Sequence, residues 1–257
     1  MTTIFSYKKN SYNLTKDEKD VLLMFLNFFK YEIPDGNGSY IAMLDLDKID
    51  FTWSPAMALN DQGVFGSWIF TFKDEVFLRP AEDSAEFVKR LLSMNLSKNE
   101  REFADNIIAS KNYTFVQFRN LHLNQELLKF AMYLCENEGT MLSTIFHELY
   151  HKWQFNTSKM LYIINFFVFL FTGYEFSTKS KFSIEGDVRI YVDNDELHRK
   201  LSKFYNVFYS FMYIHNQLAV EKSDERKEML ISQLNDLETA ENRFYVFCEK
   251  LLEKLKE

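Results

Sequence analysis

Two of the chain's five histidines lie four residues apart, and a glutamate directly follows the first of them. They are His147, Glu148 and His151, within the segment TMLSTIFHELYHKWQF that runs from Thr140 to Phe155. In a helix, residues four apart lie one turn apart on one face, so two imidazoles can reach one metal ion. The glutamate lies beside them and can hold a water molecule bound to that ion. The pattern therefore indicates a metal site with His147 and His151 as ligands and Glu148 as a general base.

The same segment can also be an ordinary amphipathic helix. Its larger apolar residues share one face at helical spacing: Leu142, Ile145, Phe146, Leu149 and Trp153. The histidines and the glutamate point away from that face, as surface polar residues commonly do. In a chain with five histidines, however, H-E-x-x-H should arise by chance on the order of once in a hundred sequences. We therefore favour the metal site.

The residues STIFHELYHKWQ resemble the active-site helix of the zincin metallopeptidases, in which H-E-x-x-H is flanked by apolar residues. The resemblance implies that His147 and His151 hold Zn²⁺ and that Glu148 takes a proton from water and later gives it to the leaving amine. It also implies a zincin-like core with a small sheet before this helix, whose edge strand binds an extended peptide. The expected function is a zinc-dependent metallopeptidase acting on a peptide or protein substrate.

A catalytic zinc needs a third protein ligand. The metzincin pattern H-E-x-x-H-x-x-G-x-x-H is excluded, because Gln154 stands in place of the glycine and Thr157 in place of the third histidine. Resemblance to the gluzincins implies a glutamate from a separate downstream helix, and we expect Glu185. Nearby carboxylates at Asp187 and Asp193 could accept hydrogen bonds from the histidine N–H groups. The alternative third ligands are Glu175, Asp187 and His198.

The remaining histidines are isolated, and each is more often a surface or structural residue than a ligand: His122, His198 and His215. His198 is the one among them best placed in sequence to stabilise a developing oxyanion. Tyr174 and Tyr191 are further candidates for that role, although the chain has 14 tyrosines.

Charge and cysteine content limit the other possibilities. A net charge of -7 gives no electrostatic reason to bind a phosphate backbone, so we expect no nucleic-acid partner. Cys135 and Cys248 are too few for a disulfide framework and are not spaced as a metal or redox pair. The N-terminal residues have no apolar core of a secretory signal, so a cytoplasmic location is expected.

The segment MLYIINFFVFLF, from Met160 to Phe171, is almost wholly apolar. A spanning helix needs about 20 such residues, so the segment is too short to cross a bilayer. We expect a helix buried in the core, and contact with a membrane surface is the alternative.

The expected fold class is α+β and mainly α, because 27 Phe and 14 Tyr accompany only 7 Gly and 3 Pro. Thr15 and Glu18 form a capping box for a first helix. Short β-favouring runs between Ser39 and Pro80 predict a small antiparallel sheet or a pair of hairpins: SYIAMLDL, IDFTW, VFGSWIFTF and EVFLRP. Helices are expected at AEDSAEFVKRLLSMN, SKNEREFADNIIASK and NQELLKFAMYLCENEG, with one strand at YTFVQFRN. Two long amphipathic patterns after Asp193 predict a C-terminal helical hairpin.

No linker divides the chain, so we expect a single zincin-like domain over residues 1–257. Within it, residues 15–80 would hold the first helix and the sheet, 81–192 the helical core with the metal site, and 193–257 the hairpin. Two other functions remain open. One is a non-catalytic zincin-like module that acts through protein–protein interaction, and the other is a membrane-associated metallopeptidase. Glu148 favours the enzyme, because a structural zinc has four protein ligands and needs no carboxylate beside the first histidine.

Overall fold

The computed structural model describes most of the chain, namely residues 11–30, 40–59, 66–70, 74–80, 93–99, 101, 102, 105, 122–135, 141–172, 184–240 and 242–257. Within these residues the chain is mainly helical and carries one small sheet, so it belongs to the α+β class that the sequence predicts.

The sheet has four strands in the order β1-β2-β4-β3: β1 Tyr12–Asn13, β2 Asp50–Trp53, β3 Gly66–Phe70 and β4 Asp74–Leu78. Strand β3 turns back onto β4, and β4 lies next to β2 and runs parallel to it. One predicted hairpin is present, at β3 and β4, but the prediction of an antiparallel sheet is wrong for β2 and β4, because the returning strand of the hairpin lies inside the sheet. Consecutive residues Val76, Phe77 and Leu78 are all buried, as expected for a strand covered on both faces.

The run SYIAMLDL does not form the predicted strand. Its described residues form a 3₁₀ helix at Tyr40–Met43 and reach the first residue of a second one at Leu46–Lys48. Tyr40 and Ile41 are adjacent and both buried, whereas successive side chains of a strand point to opposite faces. The Tyr40 hydroxyl donates a hydrogen bond to the Phe146 carbonyl at 2.6 Å, so this turn is fastened to the H-E-x-x-H helix.

Two helices predicted early in the chain are confirmed. Helix α1 is Lys16–Phe29, and Thr15 and Glu18 form the predicted capping box at its start. Helix α2 is Gln125–Cys135. The helices predicted between residues 81 and 111 fall largely outside the described residues, and the strand predicted at YTFVQFRN does so entirely.

Three consecutive helices carry the candidate site: α3 Met141–Thr157, α4 Lys159–Thr172 and α5 Ile184–Tyr191. Helix α3 is the H-E-x-x-H helix, and its apolar stripe lies in the core as predicted. The opposite side of α3 is not a solvent-facing surface, because Glu148, His151, Lys152 and Gln154 are buried too. The polar side of this helix therefore packs against other elements.

Helix α4 confirms the helix predicted at Met160–Phe171, but the prediction that it is buried is wrong for one face. The exposed fractions are 72% for Met160, 51% for Leu161 and Ile164, and 46% for Phe167. Asn165 points inward, where its side-chain amide donates to the Leu161 carbonyl at 2.9 Å. Among the described helices, none is long and apolar enough to cross a bilayer.

The C-terminal part contains α6 Asp195–Val220, α7 Asp224–Ala240 and α8 Asn242–Leu255. The predicted second arm of the hairpin is thus two helices. Aromatic rings join this part to α1: the Phe25 ring centroid lies 5.6 Å from that of Phe204 and 5.0 Å from that of Phe247. Buried apolar residues from Leu14 to Leu255 form one cluster. The single-domain organisation and its internal boundaries stay a prediction.

Candidate metal centre

Three side chains from two helices converge on one point. His147 and His151 come from α3 and Glu185 from α5, and each offers a possible ligand atom within 4.8 Å of the other two. The two Nε2 atoms are 3.0 Å apart. Glu185 Oε1 lies 3.2 Å from His151 Nε2, and Glu185 Oε2 lies 3.5 Å from His147 Nε2. The structure thus brings together the three residues that the sequence analysis named as ligands.

The other nitrogen of each imidazole faces an acceptor. His147 Nδ1 lies 2.7 Å from Asp193 Oδ2, and His151 Nδ1 lies 2.8 Å from Gln154 Oε1. A carboxylate or amide oxygen only accepts, so each Nδ1 carries a hydrogen. In the neutral imidazoles, both Nε2 lone pairs then point toward each other and toward the Glu185 carboxylate.

This arrangement fits a cation. Two lone pairs and a carboxylate meet with no donor among them unless one imidazole gains a proton. Burial alone acts to lower the pKa of His147, but the hydrogen bonds to Asp193 and Glu185 outweigh it and raise that pKa from 6.5 to about 10. Burial likewise acts to raise the pKa of Glu185, and the hydrogen bonds to His147 and His151 instead hold it well below its ordinary value. The same donor set of two imidazoles and one carboxylate suits Zn²⁺ and leaves a coordination position open.

Helix α5 is placed by its apolar residues. Val188, in α5, and Val192, directly after it, are fully buried, and they hold the helix against the core with Glu185 directed at α3. The chain then turns, and the Asp193 N–H donates to the Val188 carbonyl at 3.1 Å. Asn194 caps α6 by accepting from the Leu197 N–H at 2.9 Å. Asp193 is therefore fixed in a short turn between two helices, which holds its carboxylate against His147.

Glu148 lies beside the cluster without belonging to it. Its Oε2 accepts a hydrogen bond from the Trp68 backbone N–H at 2.6 Å, and its side chain is buried. Its negative charge is one of the smaller causes that raise the pKa of His147, so the carboxylate is within electrostatic reach of the ligands. Glu148 thus lies near His147 while its carboxylate is held by the backbone of β3.

Strand β3 lies at an edge of the sheet, directly against α3 at Glu148. An N–H that donates to Glu148 cannot also point at β4, so Trp68 presents its backbone to the outer edge. The β3–β4 hairpin is fastened to α3 by a second contact, in which buried Lys152 Nζ lies 2.6 Å from Asp74 Oδ2. These two contacts hold strand β3 and the Glu148 side chain in a fixed position relative to each other.

Tyr162, on α4, is a residue at the site that sequence reasoning missed. Its ring centroid is 6.2 Å from that of His151 and 5.6 Å from that of Trp68. Burial raises the pKa of the Tyr162 hydroxyl, and the carboxylates of Glu148 and Glu185 raise it further. The phenol therefore stays protonated and can donate. A usable signal existed, since Tyr162 and Asn165 are the polar side chains in an otherwise apolar run.

The other predicted candidates do not join the three converging side chains. Asp187 accepts from the Tyr150 hydroxyl at 3.0 Å and from the Gln154 amide at 2.9 Å. His122 and His198 are exposed. His215 is half-buried on α6, against the Phe211 ring at 4.4 Å. Tyr191 is exposed and stacks on Tyr150. Glu175 and Tyr174 lie outside the described residues.

Comparison of the chain with protein-family models, curated proteins and solved structures gave no match. The geometry of the site and the resemblance of one helix are therefore the features that point to a function.

Proposed function

We propose that this chain is a gluzincin-like, zinc-dependent metallopeptidase with His147, His151 and Glu185 as zinc ligands and Glu148 as the general base. The observation that carries the proposal is the convergence of two Nε2 lone pairs and a carboxylate, with Glu148 next to them but outside the ligand set. Zinc bound there would supply a Lewis acid that polarises a peptide carbonyl and makes water acidic near neutral pH.

Glu148 moves the protons in this proposal. The Trp68 N–H holds Oε2, so Oε1 is the oxygen that accepts a proton from the attacking water. The same carboxyl group then protonates the leaving amine, which makes Glu148 a base first and an acid afterwards. Because the side chain is buried and held from the backbone of β3, little reorganisation is needed between the two steps.

The edge of β3 is the proposed binding place for an extended peptide. In a strand, alternate residues direct their backbone groups to the same side, so Gly66 and Phe70 share the outward direction of Trp68. A substrate paired with the backbone of Gly66 and Phe70 would pass Glu148, which accepts from the Trp68 N–H between them, and the ligand cluster. Backbone pairing gives affinity without fixing the side chains of the substrate.

Tyr162 is the proposed donor to the oxyanion that develops on the substrate carbonyl. Its ring lies against His151, and it stays a neutral phenol because its pKa is raised. A neutral donor close to the carbonyl stabilises the charge that appears in the transition state.

Metal analysis followed by a cleavage screen tests the proposal. Protein purified without chelators should contain, or take up, about one equivalent of zinc, as three protein ligands can hold it. A broad peptide library should then yield a cleaved sequence. Less than about half an equivalent, with no uptake on titration, would remove the zinc site. Zinc binding without any cleavage would favour the non-catalytic module. The cytoplasmic location stays a prediction.

A membrane-associated form of the same enzyme is the second candidate. The outward face of α4 carries Met160, Leu161, Ile164 and Phe167, and its polar Asn165 points inward. A helix with this arrangement can place its apolar face in the interfacial region of a bilayer.

A further inference from the structure

The two histidines of the cluster are supported by different groups. His147 Nδ1 meets the Asp193 carboxylate, whereas His151 Nδ1 meets the side-chain amide of Gln154. A carboxylate can only accept, so it fixes the hydrogen on His147 by itself. An amide has one accepting and one donating end, so Gln154 fixes His151 only if its own orientation is determined.

Asp187 determines that orientation. Its Oδ2 accepts from Gln154 Nε2 at 2.9 Å, and the Tyr150 hydroxyl donates to the same oxygen at 3.0 Å. If the amide were reversed, its oxygen would face a carboxylate oxygen, and two acceptors would meet. The donating end of Gln154 therefore faces Asp187, and the accepting end faces His151.

The orientation of Gln154 determines which nitrogen of His151 carries the hydrogen. Because Gln154 presents an oxygen, His151 must hold its hydrogen on Nδ1, and Nε2 keeps the lone pair that points at His147 and Glu185. A His151 with its hydrogen on Nε2 could not bind a metal through that atom. Gln154 and His151 are both buried, so water has little access to replace the amide.

We propose that Gln154 and Asp187 form a relay that holds His151 in the tautomer able to bind zinc, with Asp187 acting on a ligand that it does not touch. The metal-binding part rests on the proposed zinc site, but the tautomer can be measured without metal. Both are positioning residues, because neither reaches the ion or the substrate.

The first experiment measures the tautomer in the metal-free wild-type chain. Long-range ¹H–¹⁵N spectra of protein labelled at histidine distinguish a protonated ring nitrogen from one with a lone pair, and a His151→Asn variant identifies the signal. We expect His151 to carry its hydrogen on Nδ1 alone. At a pH where the His151 ring is neutral, a hydrogen on Nε2 in place of Nδ1 would overturn the relay even if the chain binds no zinc.

The second experiment removes each member. In Asp187→Leu and in Gln154→Met, His151 should become a mixture of tautomers, and the zinc Kd should rise about 10- to 100-fold, as is typical for lost outer partners of a metal ligand. Asp187→Asn should restore most of the affinity, because its amide oxygen can still accept from Gln154 and Tyr150. The His147 signal should not change in any of them.

Tyr150→Phe is the matched control, since it removes the other hydrogen bond to Asp187 and leaves the contact with Gln154. Its zinc Kd should stay within a few-fold of wild type. Unchanged tautomer and Kd in Asp187→Leu would refute the relay, and so would an Asn variant as weak as the Leu variant. If Asp187→Leu does not fold, Gln154→Met and the wild-type spectrum decide. If no form binds zinc while the tautomers shift as expected, the proposed function fails and the relay stands.

Discussion

Replacement of Glu148 by Gln separates catalysis from metal binding. Gln keeps the length of the side chain and an oxygen that can accept from the Trp68 N–H, but it cannot take up a proton near neutral pH. Glu148 is not among the three converging ligand residues, so zinc content should remain at the wild-type level. Hydrolysis should be lost, because the amide of Gln cannot take the proton that the proposed mechanism gives to Glu148.

The size of the effect follows from the two roles of one carboxyl group. General acid–base assistance contributes about 10²- to 10⁴-fold, and a group that acts in both steps belongs at the upper end. We therefore expect kcat/KM to fall by about 10⁴, or roughly 5.4 kcal/mol of transition-state stabilisation. A hydrogen bond to a neutral acceptor is weaker than one to a carboxylate by about 1 kcal/mol, so melting should change by only a few degrees.

The assay compares three proteins on a peptide found by library screening. Zinc content, melting temperature and kcat/KM are measured for wild type, Glu148→Gln and the control Glu126→Gln, which makes the same change at an exposed ion pair with Lys129 on α2. The control should match wild type in all three measurements. If the Glu148→Gln variant cleaves the peptide with the same kcat/KM as wild type, Glu148 is not the base. If the variant loses its zinc, Glu148 is a ligand.

Three further predictions concern metal, pH and the substrate carbonyl, and a fourth concerns the outward face of α4. His147→Ala and Glu185→Ala should each abolish tight zinc binding, since two remaining ligands hold the ion poorly, and unchanged stoichiometry in both would place the site elsewhere. In the metal-free chain, the pKa of His147 is raised to about 10 from 6.5 in the unfolded chain, so its ion pairs contribute fully to the free energy of unfolding below about pH 6.5. That contribution should fall by up to about 1.4 kcal/mol per pH unit as the pH rises from 6.5 to 10. The lowered pKa of Glu185 adds stability above about pH 4.5 that is lost as pH falls, and a melting temperature that stays flat from pH 6.5 to 10 would contradict the pairing. Tyr162→Phe should retain zinc and lower kcat by about 10²- to 10³-fold, and an unchanged kcat would exclude it as the oxyanion donor. Part of the wild-type chain should sediment with lipid vesicles while an Ile164→Ser, Phe167→Ser double variant stays in the supernatant, and equal behaviour of the two would argue against the membrane-associated form.

Sequence reasoning succeeded where the deciding interactions are local. The capping box at Thr15 and Glu18 closes within one turn, and it is present as predicted. His147 and His151 share a helix, so their spacing alone places the two imidazoles together. The resemblance to the gluzincins predicts Glu185 as the third ligand. Its position beside the two histidines depends on the burial of Val188 and Val192, which no local pattern specifies.

The failures concern contacts between distant segments. SYIAMLDL has strand-forming residues, but Tyr40 reaches the Phe146 carbonyl and the segment turns. The apolar content of α4 predicts that much of the helix prefers to leave water, but it does not predict which face is buried. Asn165 lies on the buried face. The Trp68 N–H that donates to Glu148 is a backbone group, and the sequence does not predict to which side of the strand it points.

The short segment from Glu185 to Asp193 contacts His147 on both of its nitrogens, and this has a consequence for how the chain can change in evolution. Glu185 reaches Nε2 and Asp193 reaches Nδ1, with helix α5 and its closing turn as the only spacer between them. Insertion or deletion of one residue there would rotate one carboxylate away, whereas the longer stretch between Gln154 and Glu185 has no such restriction from these contacts. Relatives of this protein should thus share two motifs of fixed length, H-E-x-x-H-x-x-Q and E-x-D-x-x-x-x-x-D, joined by a spacer whose length the contacts of Glu185 and Asp193 do not fix. A search for both motifs together should identify such relatives more specifically than a search for either motif alone.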